Sequence, residues 1–310
     1  MPGVITIFGN GAVGRETTAL LTARNNGVRV VQRSAPAHLP SGAAFMAGDL
    51  TDAAAARAAC AGANTVICAA GFPYDAAVWE TAWPLAIANV LDGCEASGAR
   101  FIFADNLYMY GPQSVPLRED MPLTDYGRKP LVRATITRLW QAAHAQGRVR
   151  CTAVRASDFY GPQTATSVIS EYGVAALLKG KAALVPYSPE HPHDFTYVPD
   201  FARALVALAD ATDADYGQAW HVPNAPTLTL RQILTRAAEL TGCRPRITVL
   251  PGFMQSIIGV FQPQVRELKE MRFQTDRPYR VDASKFTARF GGPGATSFDD
   301  GLAATIASYR

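Results

Sequence analysis

The chain has 310 residues, 48% of them apolar and 18% charged, so it can bury a substantial core. Its formal net charge is +3 without a basic run, which argues against nucleic acid as the main partner. The five scattered cysteines form no C-x-x-C pair, so we expect neither disulfides nor a metal site, and reduced thiols in a cytoplasmic protein. Because no basic stretch precedes the first strand and no apolar run approaches about 20 residues, we expect no signal peptide and no membrane partner.

The first half of the chain alternates strand and helix patterns. Strands are predicted at 4–8, 28–31, 44–47, 64–69, 100–104 and 152–155, and helices at 12–25, 52–61, 81–97 and 130–146. Residues 111–129 are rich in Pro, Gly and Asp and are interpreted as a loop. This alternation predicts an α/β fold with a doubly wound parallel sheet, because right-handed crossovers place helices on both faces.

The first strand leads directly into the glycine-rich turn Gly9-Asn10-Gly11-Ala12-Val13-Gly14. In a G-x-G-x-x-G turn between a strand and a helix, the first glycine permits the tight turn and the second lets the backbone approach a pyrophosphate. The third lets the helix pack close to the strand. The helix N-terminus then offers free N–H groups and a partial positive charge to the phosphates. The sequence therefore predicts a dinucleotide-binding (Rossmann) site at this turn.

The end of the second predicted strand, Gln32-Arg33-Ser34, has no acidic residue. A site for NAD usually has Asp or Glu there to bind the ribose 2′-OH, and a carboxylate would repel a 2′-phosphate. Arg33 can bind that phosphate with two hydrogen bonds and Ser34 can donate to it, which favours NADP over NAD. The alternative is that Arg33 is a solvated residue at a strand end.

Two further strand ends are candidates for contact with the cofactor. After the third strand, Asp49-Leu50 lies where the adenine is expected, and Asp49 could accept a hydrogen bond from the exocyclic amine. Asp49 could instead cap the next helix, although Thr51 or Asp52 could also do this. After the fourth strand, the small residues Ala69-Ala70-Gly71 could let the backbone run along the ribose and pyrophosphate, or could form a simple turn.

The second half is less regular. Strands are predicted at 195–198, 219–222 and 246–249, helices at 199–209 and 230–242, a mixture of helix and loop at 166–190, and a mostly helical remainder. The short apolar segment from Phe253 to Phe261 is interpreted as a buried or cleft-lining helix. We expect a dinucleotide-binding domain over 1–165, to which 195–222 returns, and a smaller substrate-binding lobe over 166–194 and 223–310.

Several segments, taken in order, resemble one known family. After the glycine motif come Tyr108-Met109-Tyr110-Gly111, Phe159-Tyr160-Gly161-Pro162, the run from His193 to Asp200 and the C-terminal Asp282-Ala283-Ser284-Lys285. With these segments the chain resembles the extended short-chain dehydrogenases/reductases, a branch of NAD(P)-dependent epimerases, dehydratases and reductases. The resemblance implies a nicotinamide cofactor and a small-molecule substrate.

The same resemblance implies a catalytic set of Ser or Thr after the fifth strand and a Tyr-x-x-x-Lys, from which this chain departs. Asn106 stands at the Ser position, where it can bind a carbonyl group but cannot relay a proton. Tyr126 is followed by Lys129 only three residues later, and Pro130 occupies the expected Lys position. The candidate acids are Tyr126, if it shares a helix face with Lys129, and Tyr108, two residues beyond Asn106. Both tyrosines could also simply pack with a solvated hydroxyl.

The segment Ala156-Ser157-Asp158 follows the sixth strand, which the resemblance places beside the nicotinamide. Asp158 could contact the carboxamide or the substrate, or could cap a turn.

The sequence thus favours an NADP-dependent oxidoreductase that acts on a small carbonyl or alcohol. One alternative is a dinucleotide-binding redox sensor without turnover, which the altered catalytic set would suit. Another is a redox-neutral sugar-nucleotide epimerase or dehydratase, which would hold NAD tightly.

Overall fold

The computed structural model describes residues 3–250, 267–292 and 294–310. Its central feature is a seven-stranded sheet in the order β11-β6-β5-β4-β1-β2-β3. These strands span, in chain order, β1 Val4–Phe8, β2 Val28–Gln32, β3 Ala43–Ala47, β4 Ala63–Cys68, β5 Arg100–Asp105, β6 Cys151–Arg155 and β11 Ala219–His221. The pairs that join β3 through to β6 are parallel, so the predicted doubly wound α/β fold is confirmed.

The helices alternate with these strands and then continue through the second half of the chain. They span α1 Ala12–Ala23, α2 Ala53–Cys60, α3 Ala76–Ser97, α4 Lys129–Ala145, α5 Ala175–Leu178, α6 Val198–Asp210, α7 Leu230–Thr241, α8 Ser284–Phe290 and α9 Phe298–Ser308. Short strands outside the main sheet are β7 Phe159–Tyr160, β8 Ala183–Val185, β9 Pro192–His193, β10 Thr196–Tyr197, β12 Leu228–Thr229 and β13 Ile247–Val249. No described helix is long and apolar enough to cross a bilayer.

Most predicted elements agree with the structure to within two residues, and two do not. The helix expected at 81–97 begins earlier, at Ala76, because the Asp75 side chain accepts hydrogen bonds from the N–H groups of Ala77 and Val78. The strand expected at 195–198 is wrong as one element. Only Thr196–Tyr197 is extended, beside β7, and Val198 already begins helix α6. The segment from Phe253 to Phe261 lies outside the described residues.

The described residues divide into two compact units. The first contains the residues up to Met109, Pro122–Arg155 and Phe201–Trp220, and the second contains Tyr110–Met121, Ala156–Asp200 and the residues from His221 onward. The boundaries expected from the sequence, at 165, 195 and 222, stay a prediction.

The core of the first unit lies between the sheet and helices α2, α3 and α4. Phe101, Phe103, Trp83 and Trp140 are among its buried side chains. The second unit has its own core, which contains Tyr160, Phe195, Leu234 and Phe298 among others. Burial of a large apolar side chain contributes about 1.5–3 kcal/mol to the free energy of folding. Several such side chains therefore stabilise each unit.

The register of the sheet brings the carboxyl ends of its strands to one edge. Phe8 of β1 lies beside Val31 of β2 and Cys68 of β4, and Cys68 lies beside Phe103 of β5. The residues that follow these positions therefore share that edge. The strand order reverses at β1, which is where ligands bind in open α/β sheets.

Candidate active site

The glycine-rich turn after β1 lies at this reversal. Gly9 has a φ of +96°, a conformation that L side chains rarely adopt, and a Cβ there would stand 2.7 Å from the Cα of Ala70. A Cβ on Gly14 would overlap the carbonyl oxygen of Gly9. Both positions therefore require glycine for the close approach of α1 to the end of β1.

Gly11 differs from the other two glycines, because a Cβ on it would meet no atom within 4 Å. It is the N-cap of α1 and offers no side chain to the N–H groups of Ala12 and Val13. Beside it, the Oδ1 atom of Asn10 is buried and accepts no hydrogen bond from a described residue. Open space, free N–H donors and the positive end of α1 fit a diphosphate group, so these residues fit a dinucleotide.

The end of β2 presents a positive side chain to solvent. Arg33 and Ser34 are both exposed. The Gln32 side chain donates a hydrogen bond to the Ser34 carbonyl oxygen at 2.7 Å, which ties this turn together.

Asp49 lies at the end of β3. Its carboxylate accepts hydrogen bonds from the N–H and the hydroxyl of Thr51, at 2.9 and 2.7 Å. These two bonds lower the pKa of Asp49, and the charge of Arg33 lowers it further, so the two charged groups interact. The cap of α2 is Asp52 and not Asp49, since the Asp52 side chain accepts from the Ala55 N–H. The neighbouring Leu50 is buried.

The end of β4 packs against the glycine-rich turn. Ala69 and Ala70 are half-buried and supply the backbone atoms that a Cβ on Gly9 would strike. Gly71 is exposed, and a Cβ on it would meet nothing within 4 Å. The two alanines thus support the turn, and Gly71 faces open space.

Asn106 and Tyr108 follow β5. The Asn106 side-chain oxygen accepts a hydrogen bond from the Tyr108 N–H at 3.0 Å, so it shapes the local turn. Tyr108 is half-buried, and its ring stacks on Trp79 with centroids 6.2 Å apart.

Tyr126 and Lys129 do not share a helix face. Tyr126 lies in the loop before α4, 44% exposed, and its N–H donates to the Thr124 hydroxyl. Lys129 is the first residue of α4 and is fully buried. Its Nζ lies 5.1 Å from the ring centroid of Tyr74, a residue that the sequence did not single out.

Two tyrosines and one arginine lie around the Trp79 indole ring, and Lys129 lies over the ring of one of these tyrosines. Tyr74 meets Trp79 edge-on with centroids 5.4 Å apart, and the Arg133 guanidinium carbon lies 4.7 Å from the Trp79 ring centroid. We call Tyr74, Trp79, Tyr108, Lys129 and Arg133 the Trp79 cluster. Arg133 also interacts electrostatically with Tyr108.

Arg133 is anchored beneath this cluster by buried ionic contacts. Its Nη1 donates to the Asp105 carboxylate at 3.0 Å, and the Arg155 Nε lies 3.7 Å from the other Asp105 oxygen. Burial raises the pKa of Asp105, and the two guanidiniums offset part of that rise. Arg133, Arg155 and Lys129 are thus three buried basic residues in this part of the first unit, and the two arginines share the Asp105 carboxylate.

The residues after β6 belong to the second unit. Ala156 is buried, and Ser157 is anchored by a hydrogen bond from its N–H to the Thr196 hydroxyl. The Asp158 carboxylate lies 3.2 Å from Nε2 of His193, which is buried, while the Asp158 side chain is 34% exposed. The pair joins β9 to the start of β7.

A cavity of about 280 Å³ also lies within the second unit. Its lining includes Asp194, Asn224 and Thr227. Burial raises the pKa of Asp194, although hydrogen bonds from Thr227 and from the Val281 N–H oppose this. Throughout the described part of the chain, no group of three or more His, Cys, Asp or Glu side chains could hold a metal ion.

Comparison with known proteins identifies the family. The model of the NAD dependent epimerase/dehydratase family matches residues 5–222, which is more than half of the chain. The chain belongs to this family. The resemblance inferred from the motifs is therefore confirmed. A search of curated proteins found no match.

Solved structures with the same fold include several proteins of this kind. The UDP-glucose 4-epimerase of Thermotoga maritima, solved with UDP-glucose, is 18% identical, with a TM-score of 0.79 over 99% of this chain and 98% of that one. DesIV of Streptomyces venezuelae, a dTDP-glucose 4,6-dehydratase solved with NAD, is 18% identical with a TM-score of 0.81 over 99% and 97%. The Bordetella bronchiseptica enzyme WbmH, solved with NAD+, is 18% identical with a TM-score of 0.76 over 99% and 98%. At these identities the likeness is one of fold.

Three residues of the Trp79 cluster were not among the site residues predicted from the sequence: Tyr74, Trp79 and Arg133. One signal was present, since Arg133 follows Lys129 by four residues and shares its face of α4. Trp79 precedes Trp83 by the same spacing on α3. Tyr74 lies in a loop, where no periodicity marks it.

Proposed function

We propose that this member of the epimerase/dehydratase family binds NADP and transfers hydride to or from a small carbonyl or alcohol substrate. The observation that carries the choice of NADP is the end of β2, where Arg33 is exposed and the residues beside it, Gln32 and Ser34, are uncharged. A guanidinium there favours a 2′-phosphate, since it can donate two charge-assisted hydrogen bonds to it.

The other cofactor contacts extend from the same edge. The turn from Gly9 to Gly14 would hold the diphosphate on the N–H groups of α1, and Ser34 would add a donor to the 2′-phosphate. Asp49 would face the adenine, and the backbone of Ala69-Ala70-Gly71 would follow the ribose. Ala156-Ser157-Asp158 would lie towards the nicotinamide. The bound cofactor supplies the hydride chemistry.

The protein would bind the substrate oxygen and manage its proton. Asn106 would orient that oxygen, because its amide can donate a hydrogen bond. Tyr108 and the pair Tyr126 and Lys129 are the proton-handling candidates that the sequence provided. The buried Arg133 guanidinium supports such a role for Tyr108, with which it interacts electrostatically, since a nearby cation stabilises a phenolate.

The test of cofactor choice compares the dissociation constants for NADPH and NADH in the wild type and in Arg33→Ala. Loss of charge-assisted hydrogen bonds worth about 1.5–3 kcal/mol should weaken NADPH roughly tenfold to 150-fold. The dissociation constant for NADH should change less than about twofold, because NADH has no 2′-phosphate. Arg138→Ala, which removes an exposed arginine of α4, is the matched control. Equal weakening of both cofactors would contradict the phosphate assignment.

A redox-neutral sugar-nucleotide epimerase or dehydratase is the second candidate. It is supported by family membership and by the likeness to DesIV and to the Thermotoga epimerase. Steady NADPH oxidation with a panel of carbonyl compounds supports the oxidoreductase. Conversion of a sugar nucleotide without net change in the cofactor supports the second candidate, and cofactor binding without any turnover would contradict both.

A further inference from the structure

We propose that Tyr74 exchanges the proton with the substrate oxygen, and that Lys129 is the positioning residue that acts through it. This inference rests on the proposed hydride-transfer function. Tyr74 lies outside the segment from Tyr126 to Lys129 and follows strand β4.

Tyr74 is held at the carboxyl edge of the sheet. It follows β4 by six residues and directly precedes Asp75, the N-cap of α3. The Trp79 indole donates a hydrogen bond to the Pro73 carbonyl oxygen at 2.9 Å, and the Tyr74 ring meets that indole edge-on. Tyr74 is half-buried, so part of the residue remains exposed to solvent.

Lys129 brings a buried cation to this ring. Its side chain is fully buried at the first position of α4, and Nζ lies 5.1 Å from the Tyr74 centroid, which is within the range of a cation–π contact. A buried ammonium close to a phenol stabilises the phenolate more than it would in water, because the local dielectric is low. The pair thus combines a half-buried tyrosine with a buried cation over its ring, which is the arrangement that the proposal uses.

The other two tyrosines fit this role less well. Tyr126 is 44% exposed in a loop, where water screens any charge that would stabilise its phenolate. Tyr108 is near Arg133, but that guanidinium is hydrogen-bonded to Asp105 at 3.0 Å, so its charge is partly compensated. Lys129 is buried and lies over the Tyr74 ring itself.

The proposed step balances in atoms and electrons. In the direction of reduction, the O–H bond of Tyr74 breaks and a new O–H bond forms on the carbonyl oxygen of the substrate. The carbonyl carbon receives a hydride from the reduced nicotinamide, so the carbonyl is reduced and the nicotinamide is oxidised. The phenolate left on Tyr74 is stabilised by Lys129 and regains a proton from water.

The activity test uses the full-length protein with NADPH and the best carbonyl substrate of the panel. Tyr74→Phe should lower kcat by about 10²–10⁴, the usual contribution of general acid–base catalysis, while the dissociation constant for NADPH stays within about twofold. Tyr172→Phe, at an exposed tyrosine of the second unit, is the matched control and should leave kcat within about threefold. A Tyr74→Phe enzyme with unchanged kcat would overturn the proposal, and a loss in Tyr108→Phe alone would assign the proton to that residue.

A second test needs neither cofactor nor turnover. The tyrosinate absorbance of the protein is titrated with pH, and the Tyr74→Phe curve is subtracted to isolate Tyr74. Lys129→Met should move this tyrosinate titration to higher pH, by on the order of one unit, because the stabilising cation is gone. Lys129→Arg retains the positive charge, so it should keep the titration near that of the wild type and is the control for the methionine variant.

The two tests separate this inference from the proposed function. If the titration does not move in the methionine variant, the Tyr74–Lys129 pairing is wrong even in an active enzyme. If the titration moves but no substrate is reduced by the wild type, the pairing holds and the oxidoreductase assignment fails.

Discussion

Replacing Gly11 and Gly14 one at a time with alanine separates the folding role of the glycine-rich turn from its binding role. A Cβ on Gly14 overlaps the carbonyl oxygen of Gly9, so helix α1 must move away from β1. Overpacking of this kind lowers the free energy of unfolding by about 1–3 kcal/mol. For a chain of this size we expect Tm to fall by roughly 2–12 °C.

Gly11→Ala should behave in the opposite way. Its backbone has φ of −69°, which alanine adopts without strain, and the new methyl group would meet no protein atom within 4 Å. We therefore expect Tm to stay within about 2 °C of the wild type, because less than 1 kcal/mol is at stake. In a G-x-G-x-x-G turn, however, the second glycine lets the backbone approach the diphosphate, so a methyl group on it should hold the diphosphate away from the N–H groups of α1. Each charge-assisted hydrogen bond lost there is worth about 1.5–3 kcal/mol, so affinity for the dinucleotide should fall about tenfold to 150-fold.

The assay measures Tm by differential scanning fluorimetry and the NADPH dissociation constant by calorimetry, on the same preparations of both variants. Unchanged NADPH affinity in Gly11→Ala would refute the assignment of the diphosphate to this turn. A Gly14→Ala protein as stable as the wild type would refute the close packing of α1 on β1.

Two further predictions follow from buried titratable groups. Burial raises the pKa of the Cys68 and Cys151 thiols to about 12. A thiol reagent at neutral pH should therefore modify the half-buried Cys243 before it modifies either of them. The Cys243→Ser variant should lose this fast phase of the modification reaction. Burial also raises the pKa of Asp194, so its contribution to stability is complete below the unfolded-state pKa of about 4 and is lost as pH rises through the folded-state pKa. The difference between the Tm of Asp194→Asn and the Tm of the wild type should therefore shift in favour of the variant as the pH rises above about 4.

Each of these predictions has its own contrary result. Rapid modification of Cys68 or Cys151 in the native protein would mean that these thiols are accessible. A Tm difference between Asp194→Asn and the wild type that is the same at every pH would mean that this carboxyl has equal pKa values in the folded and unfolded states.

The sequence by itself determined the type of fold, because its signals are local. Alternation of short apolar strands with amphipathic helices predicted the six parallel strands from β1 to β6, each end to within one residue. The glycine spacing likewise predicted where α1 approaches β1, since that turn allows no side chain at Gly9 or Gly14. The family followed from motifs of a few residues each. These features depend on neighbours in the chain, so a pattern of residues is enough to reveal them.

Only the tertiary structure decided which charged and aromatic side chains meet. Sequence spacing linked Lys129 to Tyr126, but Pro130 stands at the second position of α4, so the helix begins at Lys129 and leaves Tyr126 in a loop. The lysine instead contacts Tyr74, which belongs to another strand end. Likewise, Asp105 meets Arg133 and Arg155 through the pairing of β5 with β6 and the packing of α4. Such contacts join segments far apart in the chain, and they depend on how the sheet is ordered, which periodicity does not encode.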